Sequence, residues 1–300
     1  MNKELVKPIR QKFVYHYTSI ETLFAILEGY RKSKESNVLT LRASNIYRVN
    51  DPKEMVMGYD VLKKWIRRYE DSQCIPVSIR LSEVYQNEEY EAKCKSDYLQ
   101  TRNADFIEVG EVPYVISFSF RHDYLPMWGL YGDKGKGVCL KFALSELQSL
   151  TSSLPGLVNY CGRTNLEGFK NTMEFMYGCY MRELKDMEVP VETKIRELAT
   201  ICLTTAPFVK HKDYQYEKEY RFVFYNWYNQ RKISMPSHKT SIYKILPYIE
   251  VAIPVKALQG IIIGPDVNFD VMKHVVRKEL EECRLNAGMV TKSRISYRNN

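Results

Sequence analysis

The apolar runs of this chain are all short, and that limits what it can build. The longest, Tyr114–Phe120 and Gly260–Gly264, are strand-sized, far below the roughly 20 residues that a membrane-spanning helix needs. Between such runs lie segments whose apolar residues recur at helical spacing. Strands of this length separated by amphipathic helices point to an α+β fold. A chain of 300 residues buries roughly three quarters of its unfolded surface, so it needs no disulfide or metal to hold it. The first residues, MNKELVKPIRQKF, carry charges but no apolar core, unlike a signal peptide. A cytoplasmic protein with no membrane partner is the expectation.

The pattern along the chain supports a single domain. A strand at Phe13–His16 runs into Thr18 and Glu21, which have the form of a capping box. Ile20, Leu23, Phe24, Leu27 and Tyr30 then mark a helix that should end at Gly29. A second helix is announced by Asn50-Asp51-Pro52-Lys53-Glu54, with Asp51 as cap and Pro52 at the first helical position. Tyr114–Phe120 alternates like a half-buried strand, and Pro126–Gly132 reads as a short helix or turn. Val138–Phe142, Arg221–Tyr228, Ile242–Ile253 and Gly260–Gly264 read as strands, and Phe269–Leu285 as an amphipathic helix. Arg294–Tyr297 is expected to close a sheet. Residues 72–111 and 165–206 read as helical insertions in one core spanning 1–300.

Several chemistries find no signal. No Walker loop, no GxGxxG after a strand, no GxSxG elbow and no HExxH occurs. The five histidines never pair at metal-ligand spacing, and the seven cysteines include no CxxC. Reduced, mostly buried thiols are expected. A nuclease of the restriction type would want Glu-x-Lys, whereas the chain has Glu217-Lys218-Glu219, so a metal-dependent nuclease is a lesser alternative.

Three clusters carry more polar chemistry than packing asks for. His16-Tyr17-Thr18-Ser19 lies where a strand meets a helix, so a histidine and free backbone donors face one turn. Ser117 and Ser119 interrupt an apolar strand, and Met127, Trp128 and Tyr131 follow. Glu217 and Glu219 stand two apart at a strand entrance, with Arg221 beyond. Such carboxylates repel, which raises one pKa unless Lys218 or Arg221 neutralises them. A carboxylate beside a sugar carbon can stabilise an oxocarbenium-like transition state. Each cluster also has a plain reading, as a capped turn, a piece of core and an edge-strand charge pattern.

In order, these motifs resemble a bacterial family known as a domain of unknown function: His16–Ser19, Asn50–Glu54, Ser117–Ser119, Met127–Tyr131, Gly137–Phe142 and Glu217–Arg221. That family looks like a distant branch of the ADP-ribosyltransferases, of the phage-defence and toxin type. The resemblance implies a split β-sheet with an NAD-binding cleft, NAD⁺ as co-substrate and no metal. It implies that His16 bonds the ribose, that Tyr17, Thr18, Asn50, Ser117, Trp128 and Arg221 help hold the dinucleotide, and that Asp51 lines the cleft. Tyr131, with Tyr17 and Tyr47 as alternatives, would stack on nicotinamide. Glu219 would be the catalytic glutamate and Glu217 would orient the acceptor, with the opposite assignment open. Arg221 would pair with a carboxylate or with pyrophosphate.

The acceptor is read from charge. The net charge is +8, and residues 1–42 and 271–300 hold more than their share of it. A basic rim with interleaved aromatics can recruit a polyanion, so a nucleic-acid acceptor, RNA before DNA, is expected over protein. Relatives of this type imply a neutralising antitoxin protein as partner. The competing class is a non-catalytic module that binds a nucleotide or nucleic acid.

Overall fold

The computed structural model describes residues 11–33, 37–49, 54–99, 113–150, 153–161, 170–183, 189–225, 237–240 and 245–297. Twelve strands and eight α-helices alternate along these segments. The strands are β1 Phe13–Thr18, β2 Val38–Asn45, β3 Tyr114–Ser119, β4 Val138–Ala143, β5 Leu154–Leu157 and β6 Asn159–Cys161. They continue with β7 Val209–His211, β8 Glu219–Phe224, β9 Ser237–Thr240, β10 Ile245–Pro254, β11 Leu258–Ile263 and β12 Val290–Lys292. The helices are α1 Ile20–Lys32, α2 Glu54–Ser72, α3 Glu88–Leu99, α4 Leu125–Tyr131, α5 Leu144–Leu147, α6 Lys170–Glu183, α7 Val191–Thr205 and α8 Phe269–Glu282. The fold is α+β. No helix among the described residues is long and apolar enough to cross a membrane.

Ten strands form one mixed sheet, in the order β12-β11-β4-β1-β3-β2-β10-β9, with β8 also on β3 and β5 on β8. The arrangement around β3 positions the site. One edge of β3 is taken along its whole length by β8, from Tyr114↔Phe224 to Ser119↔Glu219. The other edge is shared. β1 meets it at Tyr15↔Ser119, and β2 meets it at the opposite end, at Ser44↔Val115 and Asn45↔Tyr114. Between these points β1 and β2 diverge and the sheet opens.

Strand alternation divides β3 and β8 between two cores. Tyr114, Ile116 and Phe118, with Tyr220, Phe222 and Phe224, enter a core closed by Leu23, Ile26 and Leu27 of α1 and Val276 and Leu280 of α8. Val115, Val223 and Tyr225 enter a second core, built with α2, α6 and α7. The two helical segments near 72–111 and 165–206 therefore act together: α3 packs on α7, and both cover one face of the sheet. Ser117, Ser119, Glu219 and Arg221 lie on that second face, beyond the end of its apolar packing.

Local expectations hold with some shifts. The cap of α1 is Ser19, whose hydroxyl accepts from Thr22 N at 3.2 Å, rather than Thr18. The helix runs on past Gly29 to Lys32 because the Ser33 N–H closes back on the Gly29 carbonyl; one glycine inside a helix costs only about 1 kcal/mol. The expected cap Asp51, the expected first helical residue Pro52 and their neighbours Asn50 and Lys53 lie outside the described residues; the described part of α2 begins at Glu54. The last strand is Val290–Lys292 and not Arg294–Tyr297. Residues 293 and 294 are diverted by Asp123, whose carboxylate accepts from Ser293 Oγ at 2.5 Å and from Arg294 N at 2.6 Å. No disulfide joins any of the seven cysteines, and five of them are buried.

Candidate active site

A cavity of about 400 Å³ opens where β1 parts from β3, within the ~300–1,000 Å³ usual for small-molecule sites. Its walls include Tyr15, His16 and Tyr17 of β1, Arg42 and Ser44 of β2, and Ser117 and Ser119 of β3. Met127 and Tyr131 of α4, Lys210 of β7, and Glu217, Glu219 and Arg221 complete it.

His16 spans the gap in the sheet. Its Nδ1 donates to the Ser117 carbonyl at 3.0 Å, since a carbonyl can only accept. Burial pushes the imidazole below its ordinary pKa, against the smaller upward pull of that bond. The ring is neutral at pH 7, with the lone pair on Nε2.

The floor, among the described residues, is a charge network. Arg221 grips Glu219 twice, Nε to Oε1 at 2.7 Å and Nη2 to Oε2 at 3.0 Å, and its Nη1 donates to the Pro207 carbonyl at 2.5 Å. Lys210 Nζ lies 2.6 Å from Glu217 Oε2 and 3.4 Å from Glu219 Oε2. Tyr131 Oη donates to Glu217 Oε1 at 2.6 Å. All four charged residues are at most 5% exposed. Two cations balance two anions, without which burial at this depth would cost several kcal/mol per ion.

Local backbone brings the two carboxylates together. Glu217 ends a 3-10 turn, Glu219 opens β8, and Lys218 between them is left-handed at φ 44°, ψ 57°. Strand alternation alone does not align them. A two-stranded parallel sheet then delivers the missing partners, because Tyr160 of β6 and Lys210 of β7 are paired in register. The Tyr160 hydroxyl accepts from Glu219 N at 2.8 Å, and Lys210 reaches both acids.

The two glutamates titrate apart. Burial pushes Glu219 up, but Arg221 and Lys210 outweigh it, and with the Ser117 hydroxyl they hold the carboxyl at about 2. Burial pushes Glu217 above the ordinary carboxylate range, with Lys210 opposing and the Glu219 charge adding to the rise.

The structure gathers His16, Tyr17, Ser117, Tyr131, Glu217, Glu219 and Arg221 into one cavity. Arg221 pairs with a carboxylate and is 1% exposed, so it is not placed to reach pyrophosphate. Thr18 does not line the cavity: it pairs with Val138 at the end of β1, and its carbonyl packs under Gly137. Trp128 is fully buried behind the wall, its Nε1 donating to Asp123 Oδ1 at 2.9 Å and its ring edge-on to Tyr17. Seven residues of α4 turn Met127 and Tyr131, one turn apart, toward the cavity and Trp128 away from it. Tyr47 packs between the two cores. Asn50 and Asp51 lie outside the described residues.

Sequence reasoning missed Lys210, Tyr160, Tyr15 and Arg42. Lys210 left no distinct signal: it heads the charged run Lys210-His211-Lys212-Asp213 after the apolar stretch Ala206–Val209. Among the described residues no group of three or more His, Cys, Asp or Glu side chains could hold a metal ion.

Comparison with known proteins adds a family match over part of the chain and no function. A family model described as "Protein of unknown function (DUF2971)" matches residues 127–222, about a third of the chain. That span holds most of α4 with Tyr131, Lys210, both glutamates and Arg221, and leaves out β1 with His16. No curated protein and no solved structure matches the chain.

Proposed function

We propose that the protein is an NAD⁺-dependent ADP-ribosyltransferase that modifies a nucleic acid, RNA in first place, and releases nicotinamide. One observation carries this reading: His16, Tyr131, Glu217 and Glu219, spread over two thirds of the chain, meet in one cavity. The reading takes the parting of β1 from β3 as the split of an ADP-ribosyltransferase-like sheet.

The site chemistry suits a dissociative transfer. The bond between the ribose anomeric carbon and nicotinamide breaks, nicotinamide leaves with the electron pair, and the ribosyl cation is captured by an acceptor that gives up a proton. Glu219, ionised at every ordinary pH, supplies the fixed negative charge that a developing oxocarbenium needs. Glu217, with its raised pKa, is the group suited to take the acceptor proton. His16 Nε2 can accept from a ribose hydroxyl, and Tyr131 offers a ring to nicotinamide. Arg42, on the cavity wall with its guanidinium 4.3 Å above the Tyr248 ring, is the cation for the pyrophosphate, in place of Arg221.

A toxin or antiphage effector held by an antitoxin protein is the role this activity would serve. A second reading, a non-catalytic nucleotide-binding cleft, is favoured by the double grip of Arg221 on Glu219, which leaves that carboxylate few acceptor sites. The experiment is incubation with adenylate-labelled NAD⁺ and separate pools of RNA, DNA and protein. Label on RNA, lost in Glu219→Gln, supports the transferase. NAD⁺ binding without nicotinamide release in any pool selects the binding cleft.

A further inference from the structure

Beside the cavity, the half-sheet of β1, β4 and β11 presents a face that the two cores do not use. Val14 and Phe142 point into the α1–α8 core. Their neighbours Phe13, Tyr15 and Lys141 therefore point the other way, and all three are half-buried. Upper positions of this face are covered by α4, with Met127 and Trp128 on Tyr17 and Cys139. Lower positions are half-exposed among the described residues, with Tyr15 at the margin of that cluster. There the Tyr15 ring lies against exposed His122, centroids 5.4 Å apart and tilted by 32°. Lys141 Nζ stands 3.7 Å from the Phe13 ring centre, and the Arg121 guanidinium lies 5.4 Å from the Tyr124 ring.

We propose that this face is the acceptor-docking surface and that it takes a single-stranded nucleic acid, bases on Tyr15 and His122, phosphates on Arg121 and Lys141. Three features select that partner. Aromatic faces beside cations on a sheet surface bind unpaired bases by stacking and their backbone by charge, whereas a duplex hides its base faces. The charge is net positive: Arg121 and Lys141 stand against one adjacent acid, Asp123, whose oxygens are taken up by Trp128, Ser293 and the Arg294 backbone. No side chain rises beside Lys141 on β11, because the residue in register with it is Gly260, buried beneath that lysine. A Cβ there would meet Lys141 only at an ordinary 3.5 Å, so packing does not require glycine. Tyr15 belongs both to this strip and to the cavity wall, so a strand lying on it leads to the two glutamates.

The inference deepens the transferase reading, and binding is its test because binding needs no NAD⁺. Fluorescence anisotropy is measured with a labelled 12-nucleotide single-stranded RNA and with the same sequence as a duplex, over a salt series. The single strand should bind at least tenfold tighter than the duplex. His122→Ala should weaken it about five- to 150-fold, the span of one lost base stack, without changing the salt slope. Lys141→Gln should reduce the slope of log K against log salt by about 0.7. Lys32→Gln, which removes the same charge on exposed α1, should leave both unchanged, and thermal melting confirms that each variant is folded. Equal affinity for duplex, binding indifferent to His122→Ala and Lys141→Gln, or equal displacement by polyglutamate would overturn the surface. Transfer activity alongside that result would leave the transferase standing; tight, variant-sensitive binding with no nicotinamide release would do the reverse.

Discussion

Tyr131 Oη donates a 2.6 Å hydrogen bond to Oε1 of Glu217. It fastens a seven-residue helix to a carboxylate that burial would otherwise leave short of partners. The hydroxyl and the ring of this tyrosine thus serve different ends, one securing the acid and the other facing the cavity.

Tyr131→Phe keeps the ring and removes the donor. A hydrogen bond to a charged group contributes about 1.5–3 kcal/mol, so the urea midpoint should fall by that equivalent. Nicotinamide release should drop while NAD⁺ affinity holds. A midpoint equal to wild type would show that Glu217 does not depend on Tyr131.

Lys210→Met leaves two buried carboxylates with Arg221 as their one cation among the described residues. Removing one partner of a buried pair costs about 3–5 kcal/mol. The deficit should be largest at pH 7 and shrink toward pH 5, where Glu217, already raised by burial, takes up a proton. Denaturation at the two pH values checks this, and a deficit independent of pH would contradict it.

Acid should unfold the protein in two stages. His16 has a folded pKa below its ordinary 6.5, so its contribution is complete above that value and declines as pH falls below it. Glu219 is held at about 2 against an ordinary 4.5, so its contribution is complete above 4.5 and lost as pH approaches 2. His16→Asn should flatten the first stage and Glu219→Gln the second, as read by tryptophan fluorescence.

Lys218 is left-handed, a conformation that costs an ordinary residue about 1–2 kcal/mol. Lys218→Gly should be neutral to within about 0.5 kcal/mol, the strain relieved being offset by the entropy of glycine. Lys218→Val should destabilise by about 1–2 kcal/mol or more and displace Glu217 from Glu219, abolishing nicotinamide release. Equal activity of the two variants would rule out a role for this turn.

Residues whose roles follow from periodicity were legible in advance. The alternation of β8 and the apolar stripe of α8 are patterns that burial imposes on any sequence, and the ordered motifs placed His16, Ser117, Tyr131 and both glutamates together. Lys210 was not legible, because its partners lie seven and nine residues on, across a 3-10 turn that alternation cannot follow. Trp128 was assigned to the wrong side because two turns of helix are too few to define a face. Thr18 and Ser19 both suit a cap, and only the backbone of the first turn decides between them.

The shared edge of β3 has one more consequence. A histidine side chain stands there where a strand would normally continue the ladder, so the sheet is unfinished at the very place a ligand would enter. Whatever fills the opening touches both halves of the sheet at once and acts as a rivet between them. Occupancy should then be felt far from the cavity, as slower amide exchange along β10 and β11 together.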